Sequence, residues 1–125
     1  MYLFVDISNR KTECVQNDCL RLATFNCRSV KNCFPELYRL CDSHDFVLLQ
    51  EHWLLPSELG MLNSVHLDFV SYAQSAVDVT AGILSGCPYG GTAILYRKKF
   101  ASIVSLIPSQ ESRISGIQLH TVDYG

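Results

Sequence analysis

The sequence lacks most features that would assign it directly to a functional class. Its net charge is -2, so it has no overall basic excess of the kind that marks many nucleic-acid-binding domains. It has no Cys-x-x-Cys pair, which leaves a zinc knuckle or a thioredoxin-like site unsupported. The opening apolar run, residues 2–5, stops at Asp6 and is too short for a signal core or a membrane span. There are no internal repeats. We therefore expect no membrane partner.

Cysteine, by contrast, is frequent. The six cysteines are Cys14, Cys19, Cys27, Cys33, Cys41 and Cys87. An even number is compatible with a disulfide framework, but without a visible secretory signal we expect reduced thiols that serve mainly as small core residues. This pattern is typical of an intracellular protein.

The composition suits one small folded domain. The chain has 125 residues, of which 48% are hydrophobic and 18% are charged, and this balance allows a buried core. Residues 1–19 differ from the rest because polar side chains interrupt every apolar run. We expect this segment to be a poorly ordered N-terminal extension and residues 20–125 to form the domain.

Residues 20–50 predict a strand, a helix and a second strand. Residues 20–25 suit a strand, and a helix is predicted over residues 33–41, capped by Ser29 or Asn32. Its apolar face consists of Val30, Phe34, Leu37 and Cys41. The continuous apolar run from residue 46 predicts a strand buried on both faces. If the two strands are parallel, both end at the same edge of the sheet.

The rest of the chain predicts mainly strands. They are expected at residues 68–73, 91–96, 100–107 and 112–120, with a loop over residues 75–90 that contains several glycines. A strand–helix–strand unit followed by a run of strands indicates an α+β or α/β fold with a sizeable sheet.

A polar residue follows each of the first two predicted strands. These residues are Asn26 and Glu51. A carboxylate on a rigid strand end, at the mouth of a cleft, suits a hard cation that binds oxygen ligands and keeps several waters. The alternative is that Glu51 is simply the first solvated residue after a core strand.

Three segments, in this order, carry a resemblance to a known family. They are Thr24-Phe25-Asn26, Leu49-Gln50-Glu51-His52-Trp53 and Tyr89-Gly90-Gly91-Thr92-Ala93-Ile94-Leu95. Together they resemble the endonuclease/exonuclease/phosphatase superfamily, and most closely the endonuclease domain of LINE-type non-LTR retrotransposons. The resemblance implies a DNase I-like fold of two packed β-sheets flanked by helices. It implies a Mg²⁺- or Mn²⁺-dependent endonuclease acting on DNA, with Glu51 on the metal and Asn26 beside the metal and the scissile phosphate.

The resemblance covers only the first half of such a domain. The family's later Gly-Asp-x-Asn and Ser-Asp-His motifs, which supply a water-orienting aspartate and a histidine at the phosphate, do not occur here. Gly86-Cys87-Pro88 stands where relatives often carry Gly-Arg-Pro. We therefore expect a truncated domain that is inactive alone, with one sheet face uncovered and low solubility. The alternatives are a noncatalytic remnant or interaction module that keeps the fold, and a phosphatase of the same superfamily.

Further candidates have two interpretations each. One is a basic cluster that we expect either to contact a DNA backbone or to form a solvated turn; its residues are Arg97, Lys98 and Lys99. Tyr89 stacks on a base or packs across its own loop. His52 could be a ligand or an acid/base, but we expect an oriented surface residue.

Overall fold

The computed structural model describes residues 2–8, 20–78, 85–86, 90–108 and 114–120. The strands are β1 (Tyr2–Ser8), β2 (Leu22–Asn26), β3 (Phe46–Gln50), β4 (Phe69–Gln74), β5 (Val77–Asp78), β6 (Ser85–Gly86), β7 (Thr92–Arg97), β8 (Val104–Ile107) and β9 (Ile114–His120). The α-helix is α1 (Phe34–Ser43), and 3₁₀ helices span Val30–Asn32, Pro56–Ser64 and Lys98–Ile103. Within these ranges, no helix has the length and apolar character that a membrane span needs.

The predicted strand–helix–strand unit is confirmed. β2 and β3 are parallel neighbours, α1 lies between them in sequence, and Asn26 is opposite Gln50 in the register. The residue at the N-cap of α1 is Cys33, and no side chain caps the helix, so the expected cap by Ser29 or Asn32 is wrong. Pro35 lies in the first turn, where a helix does not need its missing N–H.

The central sheet has the strand order β2-β3-β7-β4, and β7 is antiparallel to both of its neighbours. One face packs against α1 and the Pro56–Ser64 helix; this core includes Leu37, Cys41, Val47, Leu49, Leu62 and Leu95. Because β7 runs against β3, Thr92 lies beside Gln50 at one edge of the sheet, and Arg97 lies at the opposite edge. Thr92 and Arg97 therefore lie at opposite edges of the sheet.

A second sheet, with the order β1-β9-β8, covers the other face of the central sheet. The core between the two sheets consists of Phe46, Leu48, Ile94, Tyr96, Ile117 and Leu119. The hydroxyl groups of Thr92 and Ser115 form a buried hydrogen bond of 2.6 Å within the same interface. The fold is thus α+β, with two packed sheets and α1 on the outer face of the central one.

The second sheet corrects two expectations. Residues 2–8 of the expected disordered extension form β1, because β9 offers a parallel partner for every residue from Tyr2 to Ser8. Residues 9–19 lie outside the described residues. The sheet face that was expected to be uncovered is buried, because Ile117 and Leu119 of β9 pack onto it. Because this face is buried, an exposed apolar sheet face is no longer a reason to expect low solubility.

Two further elements differ from the expectation. Residues 98–103 form a 3₁₀ helix, and β8 begins only at Val104. The Phe100 ring stacks on Phe46 at 5.4 Å, which draws this segment onto the sheet before the strand begins. The predicted loop over residues 75–90 contains β5 and β6, which pair with each other.

Cys27, Cys33 and Cys41 are free and buried, as expected for reduced core cysteines. Burial raises the pKa of the Cys41 thiol to about 12, and burial also raises the pKa of Cys27 and of Cys33. These thiols therefore stay protonated and unreactive at neutral pH. Cys14, Cys19 and Cys87 lie outside the described residues.

Candidate functional site

Asn26 and Glu51 lie at the same edge of the central sheet. Asn26 is the last residue of β2, and Glu51 directly follows β3. Since Asn26 pairs with Gln50 in a parallel ladder, the two chain segments leave the sheet side by side. The Asn26 side chain is exposed and Glu51 is half-buried, so solvent reaches both. Their metal-binding roles remain predictions.

Three backbone hydrogen bonds hold the loops that follow β2 and β3 together. The Cys27 N–H donates to the Gln50 carbonyl at 2.9 Å, and the Ser29 N–H donates to the Glu51 carbonyl at 3.0 Å. A third bond joins the Val30 N–H to the His52 carbonyl at 3.1 Å. They extend the pairing beyond both strands and fix the main chain on either side of the candidate site.

The same two loops contain the strained backbone of the described part of the chain. The non-glycine residues with positive φ there are Arg28 (45°), Ser29 (80°), Glu51 (55°) and Trp53 (59°). Such conformations cost roughly 1–3 kcal/mol each and occur often at functional sites. These strained residues are concentrated at the sheet edge that holds Asn26 and Glu51. Such a concentration is typical of a functional site, and it is independent of the sequence motifs.

His52 is a buried structural residue, so the expectation that it faces solvent is wrong. Its Nδ1 accepts a hydrogen bond from the Leu54 N–H at 2.9 Å, so the proton is on Nε2, which donates to the Gln74 carbonyl at 2.8 Å. Burial lowers the pKa of His52 below its ordinary value of 6.5, which favours the neutral ring. His52 thus anchors the Glu51 loop to β4.

Gly91, the second glycine before β7, packs directly against this histidine. Gly91 has a φ of 102°, and a Cβ built on it would lie 2.3 Å from Cε1 of the His52 ring. The carbonyl of Gly90 accepts a hydrogen bond of 3.0 Å from the Trp53 N–H. The described residues of the three segments that carry the resemblance therefore converge at one edge of the sheet.

The neutral state of His52 predicts a loss of stability in mild acid. The unfolded chain binds a proton at this imidazole near pH 6.5, whereas the folded protein resists it. Stability from this group is therefore complete above that pH and falls as the pH drops below it, by up to about 1.4 kcal/mol per pH unit. Urea unfolding across this range measures the decline. The His52→Asn variant should have a shallower pH dependence, and an unchanged slope would contradict the assignment.

The predicted DNA-contacting residues do not join this edge. Arg97 ends β7 at the opposite edge, where its Nε donates to Asp45 Oδ1 at 3.1 Å and its Nη2 donates to the Cys41 and Asp42 carbonyls at 2.9 and 3.1 Å. Lys98 and Lys99 follow it and are exposed. Tyr89 lies outside the described residues. A phosphate bound between Asn26 and Glu51 therefore receives no contact from Arg97, Lys98 or Lys99.

Arg28 is a cation at the Glu51 edge that the sequence analysis did not single out. It is exposed, lies two residues after Asn26, and no carboxylate in the described ranges pairs with it. The adjacency to Asn26 was the signal available in the sequence. Arg28 is therefore the cation of this loop that is free to meet a phosphate.

Few side chains at this edge are of a type that binds a metal ion. Within the part of the chain that the structure describes, no three His, Cys, Asp or Glu side chains cluster closely enough to hold a metal ion. The Glu51 carboxylate and the Asn26 amide oxygen are ligand types that Mg²⁺ and Mn²⁺ accept, with water completing the coordination shell. The donor set fits a weakly held hard cation.

Comparison of the chain with protein-family models, with curated proteins and with solved structures finds no match. We therefore infer function from the geometry of this edge and from the resemblance of its three segments.

Proposed function

We propose that the chain carries part of the catalytic centre of a metal-dependent DNA endonuclease of the endonuclease/exonuclease/phosphatase type, with a DNase I-like fold. The observation that supports it most is the parallel pairing of β2 and β3, which brings the candidate ligands Asn26 and Glu51 to one solvent-accessible edge. The strained loops there, and the contact of Gly91 with His52, add support.

Each residue of this edge has a chemical role in the proposal. Glu51 supplies the carboxylate that holds Mg²⁺ or Mn²⁺, and the Asn26 amide orients oxygen atoms by hydrogen bonding without adding charge. A divalent cation there supplies neutralisation of the charge that develops on a phosphodiester during hydrolysis. Arg28 contributes charge that attracts the DNA backbone. Hydrolysis also needs a group that positions the attacking water, which Asn26 and Glu51 do not supply.

A second candidate function, a noncatalytic interaction module, is favoured by one observation. The sequence contains neither Gly-Asp-x-Asn nor Ser-Asp-His, so the aspartate and histidine that the resemblance calls for are missing. A phosphatase of the same superfamily would need equivalent groups. Nuclease activity therefore distinguishes these candidates only when a protein segment that contains the missing motifs is added to the chain.

The metal role of Glu51 is tested by titrating Mn²⁺ into the 125-residue protein and following water proton relaxation. We expect weak binding in the wild-type protein, and at least tenfold weaker binding in Glu51→Gln, because the amide removes the one charged ligand. Glu36→Gln is the matched control, since Glu36 is an exposed carboxylate on the first turn of α1. Equal binding by Glu51→Gln and wild type would remove Glu51 from the role.

The activity itself is tested with supercoiled plasmid in Mg²⁺. We expect no nicking above background by the chain alone, because the sequence contains neither Gly-Asp-x-Asn nor Ser-Asp-His. Fusion to the second half of a related endonuclease domain should restore nicking, and Glu51→Ala should abolish it in the fusion while Glu36→Ala should not. Nicking by the fusion that persists in Glu51→Ala would contradict the proposed catalytic role of Glu51, whereas a fusion that does not nick would leave the interaction module.

A further inference from the structure

An open depression lies at the edge of the central sheet opposite Glu51. Its volume is about 330 Å³, and it is lined by Arg21, Asp68, Arg97, Lys98 and Lys99. Arg21 directly precedes β2, while Arg97 ends β7, so the depression belongs to the strand ends remote from Asn26. At about 3.3 Å per residue, the length of β3 separates the two edges by roughly 17 Å.

The depression carries a local positive charge in a chain whose net charge is -2. Four of its five lining side chains are cationic. The buried carboxylate of Asp45 bonds Arg21 at 3.5 Å and Arg97 at 3.1 Å, and so balances part of the arginine charge. No carboxylate in the described ranges pairs with Lys98 or Lys99, and both are exposed. The Lys99 ammonium lies over the Phe100 ring, 5.1 Å from its centroid, so both ammonium groups keep their charge available to an anion.

The frame around these ammonium groups is rigid. Arg97 is held by Asp45, by two backbone carbonyls of α1 and by the ring of Phe69, whose centroid lies 4.9 Å from the guanidinium carbon. The Lys98 N–H donates to the Asp68 carbonyl at 2.7 Å. The backbone that carries Lys98 is thus fixed, which limits the backbone entropy lost when a ligand binds.

We propose that this depression is a phosphate-binding site that works independently of Glu51 and of any metal ion. Lys98 and Lys99 provide the contacts, since lysine binds phosphate as a point charge, and Arg21 adds a third cation at the rim. The ligand class is a phosphate group, either free or in a nucleic-acid strand. The inference goes beyond the proposed endonuclease because it needs none of that site's residues.

The test measures binding of a fluorescent oligothymidylate by anisotropy in EDTA, over a series of salt concentrations, with inorganic phosphate as a competitor. We expect Lys98→Gln/Lys99→Gln to bind at least tenfold more weakly than wild type at low salt. The slope of log affinity against log salt should also fall by about 1.4, since each contact to a single strand contributes about 0.7. Both lysines are exposed, so melting temperatures should be unchanged.

The matched control for the single variants Lys98→Gln and Lys99→Gln is Arg39→Gln, which removes one positive charge from an exposed position on α1. It should bind nearly as wild type, and an equal loss would overturn the site in favour of diffuse attraction. Competition by inorganic phosphate would identify a compact anion site, whereas binding of the oligonucleotide without competition would identify a backbone contact; either supports the proposal. Absence of binding to both ligands overturns it. Glu51→Gln should bind as wild type, so failure of the endonuclease proposal remains a separate result.

Discussion

Replacement of Gly91 with alanine should destabilise the protein by about 3 kcal/mol or more, a large part of the stability of a typical domain. Two costs add. An L-residue at φ 102° is strained by about 1–3 kcal/mol. The new methyl group would also lie 2.3 Å from the His52 ring, and that ring cannot retreat because it is fully buried and bonded through both nitrogens. Overpacking of this kind costs about 1–3 kcal/mol.

The matched control is Gly60→Ala. A Cβ at Gly60 meets nothing within 4 Å. The free energy of unfolding of this variant should therefore be within about 1 kcal/mol of the wild-type value. Urea unfolding followed by circular dichroism measures both. The double variant Gly91→Ala/His52→Ala should lose less stability than the sum of the two single losses, because removal of the ring abolishes its clash with the methyl group. Equal stabilities for Gly91→Ala and Gly60→Ala would contradict the packing described.

Replacement of Asp45 with asparagine should lower the free energy of unfolding by about 3 kcal/mol. The change leaves the largely buried guanidinium of Arg97 without its counter-charge. The Asp45 side chain is 7% exposed and that of Arg97 is 15% exposed. Burial alone would raise the pKa of Asp45, but hydrogen bonds from the Arg21 N–H and guanidinium and from Arg97 lower it below 3.8. The carboxylate is therefore ionised at neutral pH, and an amide would turn a donor towards one of these donors.

Thermal unfolding at neutral pH tests this prediction, with Asp68→Asn as the control. Asp68 borders the same depression but is exposed, so its loss should change stability by no more than about 0.5 kcal/mol. A melting temperature for Asp45→Asn that equals that of Asp68→Asn would show that the ion pair with Arg97 contributes little.

Local pattern was enough to predict the first half of the fold. The uninterrupted apolar run of residues 46–49 indicated a strand covered on both faces, and α1 and β9 do cover it. The apolar spacing of Leu37 and Cys41 identified the buried face of α1. Because parallel strands end at a common edge, the shared position of Asn26 and Glu51 followed from the same pattern.

The features that could not be predicted from the sequence depend on pairing between residues that are far apart in the chain. The direction of β7 relative to β3 determines which edge receives Arg97, and no local signal specifies that direction. The burial of His52 depends on Gly91 and Gln74, which are distant in sequence, so its polar side chain suggested solvent exposure. β1 was missed for the same reason, since its partner β9 lies at the other end of the described chain.

The pairing of β1 with β9 also determines the order of events during synthesis. Tyr2 pairs with Ile114, so β1 leaves the ribosome roughly 110 residues before its partner strand. At about 5–20 residues per second, that wait lasts roughly 5–20 seconds, during which the unpaired backbone of residues 2–8 is open to any other strand edge. The central sheet needs only residues up to Arg97. It can therefore form first and present the surface onto which the second sheet closes.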